Sequence, residues 1–343
     1  MEGRDFVVVK MKSGGGRTHP ALRYLQRYWG LYAMLLLPIA FFVVFRYWPM
    51  INLLLAFKEN NLILPVLEIP WAQPWRMYFA DGSRVISLPA MANFERAINH
   101  PPFQTAFRNT IMFSILDLAV GFPAPIILAL LLNELKFKKF KRITQTISYM
   151  PHFLSWIIIS GMALRLFSPT VGTLNGLLES VQLFLGMEAN PIPFLNSAPY
   201  WVGTVVFLGV WRSIGWNTII YLAAITGVNP ELYEAADMDG ASRIRKMWHV
   251  TLPCIRPVII VLFILAIGGM MGADFDRFVA LRNPLVHSVS DVLPLYIWEW
   301  GIRQPLTGQA MATAVGLLQN SINLVILLAA NYLVKFLGGQ GLW

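Results

Sequence analysis

Residues 229–253 read NPELYEAADMDGASRIRKMWHVTLP and stand between two long apolar stretches of the chain. Asn229 is a suitable N-cap, and Pro230 fits the first helical position, where no N–H is needed. Gly240 can end this helix in a left-handed conformation, and Ser242 can begin another helix. The stretch therefore predicts a short helix, a sharp turn and a second short helix.

The apolar stretches on both sides of this loop are long enough to cross a bilayer, which takes ~20 helical residues. Residues 191–230 contain Arg212 as their only charged residue, and residues 257–273 contain none. Similar stretches occur elsewhere, and continuous apolar runs of this length favour helices over barrel strands. Together they predict six spans, at residues 29–48, 107–133, 143–167, 200–226, 257–280 and 310–336.

The composition of the whole chain indicates an integral membrane protein. The 343 residues are 56% apolar and 13% charged, with a mean hydropathy of +0.56. Average soluble domains carry roughly 25% charged residues, so a soluble enzyme, a disordered chain and a collagen-like fibre are excluded. With Cys254 as the only cysteine, the chain offers no intrachain disulfide and no cysteine-based metal site. We find no metal motif and no nucleophile–base pair, so no metal ligand and no catalytic residue is predicted.

The basic residues predict the orientation of the chain. Sixteen of the 27 Lys and Arg residues lie in the N-terminal tail, in the loops 136–142 and 243–256, and at the C-terminus. Because cytoplasmic loops collect Lys and Arg, we expect both termini in the cytoplasm. The cluster at 136–142 is thus a topology signal rather than a nucleic-acid or lipid-headgroup patch. Tryptophans lie in the opposite loops like an interfacial belt: Trp48, Trp71, Trp75, Trp298 and Trp300.

The predicted organisation has three parts. Residues 1–28 form a cytoplasmic tail, residues 29–338 form the transmembrane domain, and residues 229–253 form a loop within it. The segment 49–106 is too short and too broken to be an independent domain. Residues 173–185 predict an amphipathic helix along the outer surface.

The loop resembles the EAA loop of the permeases of ABC importers. That pattern is Glu-Ala-Ala, three residues, Gly, nine residues, Ile, one residue, Leu-Pro. Val250 stands here in the place of the Ile, and the other positions match: Glu234, Ala235, Ala236, Gly240, Leu252 and Pro253. The resemblance implies an all-α integral membrane protein with the type I ABC importer permease fold, about six transmembrane helices and a cytoplasmic EAA coupling helix.

The wider sequence resembles the carbohydrate branch of these permeases, which includes the maltose permeases. The stretch Tyr47-Trp48-Pro49-Met50 is similar to permeases for polysaccharide fragments. The resemblance implies a permease subunit in the bacterial cytoplasmic (inner) membrane that translocates an oligosaccharide or polysaccharide fragment. An acidic sugar is a further option that rests on Arg212, whose guanidinium can bind a carboxylate. It also implies a second, non-identical permease, two cytoplasmic ATPases and an extracytoplasmic solute-binding protein.

The chain lacks the sequence of an ATP-binding loop. It contains no Gly-x-x-x-x-Gly-Lys-Ser/Thr pattern and no Gly-Lys pair. We therefore expect no enzymatic activity and no cofactor in this chain, with ATP and Mg²⁺ bound by the partner ATPase. Nucleic acid is not an expected partner, whereas membrane lipid is.

The resemblance assigns the loop to ATPase coupling. We expect Tyr233, Glu234 and Met238 on neighbouring turns, as an exposed anchor with an acidic group. The alternative is that Glu234 only solvates a surface helix. The full predicted coupling set is Tyr233, Glu234, Ala235, Ala236, Met238, Gly240, Leu252 and Pro253.

The fourth predicted span supplies the candidate substrate path, formed by Arg212, Ser213, Trp216 and Asn217. Arg212 can bind a carboxylate through two parallel hydrogen bonds, and Trp216 offers a flat ring to a sugar. Two alternatives remain open: Asp117 of the second span neutralises Arg212, or Trp216 serves only for packing.

Other charged and polar residues leave alternatives of their own. Arg165 and Asp274 are expected at the outer ends of their spans. Hydrogen bonds between helices account for the polar cluster Gln319, Asn320, Ser321 and Asn323 as well as a hydrophilic path does.

Three other functions compete with sugar import. One is an ABC permease for another solute, such as glycerol phosphate or a peptide. A second is a membrane enzyme acting on lipid-linked sugar through Asp117 or the Asp274/Asp276 pair. The third is an ion-coupled transporter that switches through Asp117 and Arg212.

Overall fold

The computed structural model describes residues 24, 27–61, 63–78, 84–336, 338–339 and 341–342. The predicted tail 1–28 therefore lies almost entirely outside the described residues. The chain divides into two units, residues 1–53 and 54–343, which are described separately.

The first unit contains helix α1 (Trp29–Phe42) and a π-helical turn, Val43–Tyr47. A 3₁₀ helix, Trp48–Phe57, continues the chain into the second unit. Together these segments make the helical stretch Trp29–Phe57, which is long and apolar enough to cross a membrane.

The extramembrane segment of the second unit contains an antiparallel hairpin of β1 (Trp75–Tyr78) and β2 (Arg84–Leu88). Trp75 pairs with Leu88, and the register shifts between Met77 and Tyr78. Helix α2 (Ala92–Ile98) follows. The hairpin is a feature that the all-α prediction does not contain, although the protein is mostly helical.

The second span, Pro101–Asn133, is divided into α3 (Pro101–Leu116), a π turn (Asp117–Gly121) and α4 (Pro123–Asn133). Pro123 lacks an N–H and cannot make the regular helical bond at that position. Just before it, the N–H of Phe122 donates to the carbonyl of Asp117, five residues back, over 3.0 Å. Such π turns are frequent at functional sites.

The third span is bent. Helix α5 (Lys138–Tyr149) runs into a 3₁₀ turn, Met150–Phe153, and α6 (Trp156–Phe167) leaves at 104° to that segment. Ser155 caps α6 by accepting a hydrogen bond from the N–H of Ile158. Helix α7 (Thr173–Phe184) lies within the predicted amphipathic segment 173–185.

The fourth span is the unbroken helix α8 (Ala198–Thr226). The short helices α9 (Pro230–Met238) and α10 (Arg243–Lys246) follow, then a π turn, Met247–Thr251, and α11 (Leu252–Gly268). The predicted span 257–280 is wrong beyond residue 268, because α11 ends at a Gly-Gly pair. Glycine is a poor helix former, and Asn323 accepts the N–H of Met271 over 2.9 Å in the interrupted segment.

The last part of the chain returns to the membrane through short helices. These are α12 (Phe275–Leu281), a 3₁₀ turn (Pro284–Val286), α13 (His287–Ser290), α14 (Leu293–Trp298), a π turn (Glu299–Arg303) and the long α15 (Pro305–Phe336). By length and composition, the described residues contain five candidate spans, and the bent pair supplies a sixth. The sequence predicts this number of spans.

The core beside α12 is aromatic. Phe113, Trp201 and Phe278 are fully buried, and the ring of Phe113 lies 4.7 Å from that of Phe278 and 5.9 Å from that of Trp201. These contacts pack α12 against α3 and α8. The charged residues at the start of α12 are thereby held at a fixed position.

Candidate functional site

A cavity of about 360 Å³ lies between the π turn of the second span, α6, α8 and the segment that joins α11 to α12. The interrupted backbone at 269–274 forms part of its wall. Irregular backbone at membrane depth is tolerated where it lines a cavity. The polar side chains of the wall are Ser114, Asp117, Arg212, Ser213, Asn217, Asp274 and Arg277.

Asp117 pairs with Arg277 rather than with Arg212. The guanidinium donates to both carboxylate oxygens, with Nη1–Oδ1 and Nη2–Oδ2 distances of 3.1 and 2.6 Å. The Arg277 side chain is 5% exposed and that of Asp117 is 39% exposed. A Cβ at Gly209 would stand 2.5 Å from Arg277 Nη1, so the glycine makes room for the pair. The predicted pairing of Asp117 with Arg212 is therefore wrong.

Arg212 is held at one nitrogen and along one face of its guanidinium. Its Nε donates to the carbonyl of Leu154 over 3.2 Å, and its Cζ lies 5.1 Å from the centre of the Trp156 ring. Among the described residues, no carboxylate forms an ion pair with Arg212, and its Nη atoms have no protein acceptor. The two terminal nitrogens are thus available to a ligand in the cavity.

Asp274 also belongs to the cavity, although its sequence position suggests the outer end of a span. The Nε1–H of Trp156 donates to its Oδ2 over 2.7 Å. Trp156 therefore orients a cation and an anion of the same wall, because its ring also lies against Arg212. A carboxylate here can accept hydrogen bonds from hydroxyl groups.

Three of the four predicted path residues line the cavity: Arg212, Ser213 and Asn217. Trp216 does not. Its ring stacks on that of His152, with a centroid distance of 4.5 Å and an interplanar angle of 2°. Packing, the alternative interpretation of Trp216, accounts for this contact.

Sequence reasoning missed Trp156, Arg277 and the interrupted segment. The available signal was a set of glycines within an apolar run, Gly268, Gly269 and Gly272, followed at once by charged residues. Glycines at this density end a helix, and charge so close to a span indicates a cavity or a pair.

The loop 229–253 has the local structure that its residues predict. Asn229 Oδ1 accepts the N–H of Glu231 over 3.1 Å, and Ser242 Oγ accepts the N–H of Arg245 over 3.4 Å. Gly240 has a φ of +70°, in the left-handed region that glycine adopts without strain.

The surface of α9 differs from the prediction at Tyr233. Glu234 and Ala235 are exposed, and Met238 is 89% exposed. Tyr233 is half-buried instead, with its hydroxyl 2.9 Å from Oγ1 of the buried Thr251. Tyr233 therefore connects α9 to the start of α11 and does not project as an anchor.

A polar contact outside the spans joins α14 to the start of the second span. His100 Nδ1 lies 2.9 Å from the hydroxyl of Tyr296. Burial lowers the pKa of His100 below its ordinary value of 6.5 and raises the pKa of Tyr296.

A family model described as binding-protein-dependent transport system inner membrane component matches residues 121–337. The chain is 37% identical to the polygalacturonan/rhamnogalacturonan transport system permease protein YteP of Bacillus subtilis, over 99% of this chain and 97% of that protein. It is 36% identical to the protein LplB of the same organism, over 93% and 92% of the two chains.

Solved structures of bacterial ABC transporters also resemble this chain. A chain of a bacterial ABC transporter involved in the import of the acidic polysaccharide alginate superposes with a TM-score of 0.78 and 33% identity, over 92% of this chain and 98% of that one. A chain of a bacterial alginate ABC transporter in complex with an alginate pentasaccharide-bound periplasmic protein gives 0.79 and 32%, over 93% and 99%.

Proposed function

As the chain belongs to the family of binding-protein-dependent transport system inner membrane components, we propose that it carries an acidic oligosaccharide through the cavity around Arg212. It is a multi-pass membrane permease of an ABC importer. A relative named for polygalacturonan and rhamnogalacturonan and a solved importer of alginate support an acidic polysaccharide fragment as the substrate.

The single observation that carries this substrate class is the state of Arg212. Its Nε is bonded to the Leu154 carbonyl, while its two terminal nitrogens have no acceptor among the described residues. A sugar carboxylate can accept two parallel hydrogen bonds from such a guanidinium. Asp274, Ser213 and Asn217 line the same cavity and offer partners for sugar hydroxyls.

Transport draws its energy from a partner. We propose that a separate ATPase binds ATP and Mg²⁺ and hydrolyses the nucleotide, since this chain has no phosphate-binding loop sequence. The exposed residues of α9, with Glu234 and Met238 foremost, supply the docking surface. The exposed Ala235 belongs to the same surface. The remaining residues of the predicted coupling set shape the loop: Tyr233, Ala236, Gly240, Leu252 and Pro253.

The assembly needs further subunits. We propose a heterodimer with a second, similar permease, two cytoplasmic ATPases, and delivery by an extracytoplasmic solute-binding protein. The solved complex of an alginate transporter with a periplasmic protein supports the last of these. The basic loops support an orientation with both termini in the cytoplasm.

The substrate class is tested by uptake of two matched oligosaccharides, one acidic and one with its carboxylates methyl-esterified. In Arg212→Ala we expect uptake of the acidic form to fall at least tenfold, because a charge-assisted bidentate contact contributes about 1.5–3 kcal/mol. Arg212→Lys should lose less, since it keeps the charge. Arg96→Ala, at an exposed residue of α2, is the control. Equal losses for both oligosaccharides would contradict the proposal.

A further inference from the structure

An apolar groove outside the central cavity runs between α6 and α8. It consists of two cavities of about 380 and 250 Å³, and Phe167 and Phe207 line both of them. The first cavity is also bordered by α7 through Leu174. Helix α8 is a candidate membrane span and α6 is half of the bent pair that supplies another, so an exposed apolar groove between them is expected to face hydrocarbon.

The lining of the groove offers almost nothing to a polar ligand. Its walls are mostly aliphatic and aromatic residues, glycine and proline, and the polar groups among them are the hydroxyls of Thr204 and Tyr200 and the indole N–H of Trp211. The hydroxyl of Thr204 already donates to the carbonyl of Tyr200 over 2.8 Å. With so few polar groups for the many hydroxyls of a sugar, the groove fits an apolar occupant better.

The length of the groove matches one leaflet. Its walls extend along α8 from Pro199 to Trp211, which at 1.5 Å per residue is ~18 Å. One leaflet contributes about half of the ~30 Å hydrocarbon core. With the proposed orientation, Pro199 lies at the outer end of its span, so the leaflet is the outer one.

Arg165 is the cation nearest to this groove along α6, two residues before Phe167, which lines both cavities. Arg165 is the only Lys or Arg between Arg142 and Arg212. It lies in the last turn of α6, next to the groove residue Leu166, and its side chain is exposed. Within the described part of the chain it has no ion-pair partner. An exposed cation near the end of a span, beside an apolar groove, is the charge pattern of a phospholipid site.

We propose that the groove binds one acyl chain of an anionic phospholipid of the outer leaflet, whose phosphate pairs with Arg165. A second permease is the competing occupant. Contacts between membrane helices favour small residues and polar residues that bond across the interface. The wide, aromatic-walled groove lacks both properties over most of its length, which favours lipid.

Gly203 provides a direct way to block the site. It lines the groove, and a Cβ added there would meet no atom within 4 Å. Gly203→Phe can therefore fill the groove without displacing the backbone. Gly176 of α7 is the matched control, because it is also exposed with open space at its Cβ and lines neither cavity.

The experiment uses the assembled importer reconstituted with a phosphatidylglycerol that carries a photoreactive diazirine within one acyl chain. We expect labelled peptides to concentrate at 159–167 and 199–211. Gly203→Phe should lower this labelling at least roughly fivefold, because the ring occupies the space of the chain. Gly176→Phe should leave it unchanged. Arg165→Gln should lower labelling by phosphatidylglycerol more than labelling by a phosphatidylcholine with the same acyl chain.

The labelling map of the unaltered protein tests the proposal even if a variant fails to assemble. Labelling spread evenly over the spans, or absent from these two peptides because a second permease fills the groove, would overturn it. Equal labelling of Gly203→Phe and Gly176→Phe would overturn it as well. An Arg165→Gln variant that binds both lipids like the unaltered protein would refute the pairing with phosphate.

Discussion

The central cavity and the loop 229–253 use the same types of charged residue in opposite ways. In the cavity, Arg277 is almost fully buried and forms a bidentate pair with Asp117. In the loop, Asp237 is 60% exposed in its pair with Lys246, and Glu234 is exposed without an ion-pair partner among the described residues. The Asp117–Arg277 pair is thus committed to the fold, while the charges of the loop are available to a partner.

The largest effect is expected from breaking the pair of Asp117 with the buried Arg277. Asp117→Asn leaves Arg277 buried without a carboxylate, and removing one partner of such a pair costs about 3 kcal/mol. The free energy of unfolding of the purified protein should fall by that amount. Asp237→Asn in the loop should change it by no more than about 0.5 kcal/mol, since exposed pairs contribute little.

The double variant Asp117→Asn/Arg277→Met is the control for this comparison. It removes both charges, so it should recover much of the stability that the single variant loses. If Asp117→Asn and Asp237→Asn were equally mild, the distinction between the two regions would fail.

The next effect concerns transport without loss of stability. Glu234→Lys reverses an exposed charge that we assign to the ATPase contact, and uptake should fall at least tenfold, equivalent to about 1.4 kcal/mol. The unfolding midpoint should not change. Asp239→Lys, an exposed residue of the same loop outside the EAA pattern, is the matched control. Comparable loss of uptake in both variants would assign the effect to general loop charge.

Tyr233→Phe tests how the two regions are connected, because Tyr233 joins the loop to the membrane helices. The change removes only the hydroxyl that bonds to Thr251, a contact of about 1 kcal/mol. We expect normal ATP hydrolysis by the assembled importer with reduced uptake per ATP. Thr251→Val should give the same ratio. A lower rate of hydrolysis at an unchanged ratio would speak against a coupling role.

The smallest effect is a pH dependence at His100. Its pKa is lowered in the folded protein, so the unfolded chain binds the proton more readily. Stability should therefore fall as the pH drops below the ordinary value of 6.5, until the lowered pKa is passed. His100→Gln should lose less stability over that pH range in unfolding measurements. An identical pH dependence in both proteins would exclude His100 as its source.

Features that depend on neighbouring residues could be predicted from the sequence, whereas contacts between distant residues could not. The caps at Asn229 and Ser242 and the turn at Gly240 depend on residues within a few positions, and the sequence predicts them. The pair of Asp117 and Arg277 joins residues 160 positions apart, and nothing local distinguishes Arg277 from Arg212 as its partner.

The residues of the central cavity were likewise predictable only where the signal is local. Its residues Arg212, Ser213 and Asn217 are predictable from one polar stretch of a span. The direction of the Trp216 ring depends on His152, which lies on another span. The burial of Tyr233 depends in the same way on Thr251, which lies in the π turn that precedes α11.

The most direct test of the division between the two regions is a cross-link from α9 to the ATPase. The exposed Cys254 is first replaced by Cys254→Ser, and a cysteine is introduced as Ala235→Cys. Val171→Cys, at an 82% exposed residue between α6 and α7, is the control. We predict a cross-link to the ATPase from position 235 and none from position 171. No cross-link from position 235 in any nucleotide state, or equal cross-links from both, would contradict the account.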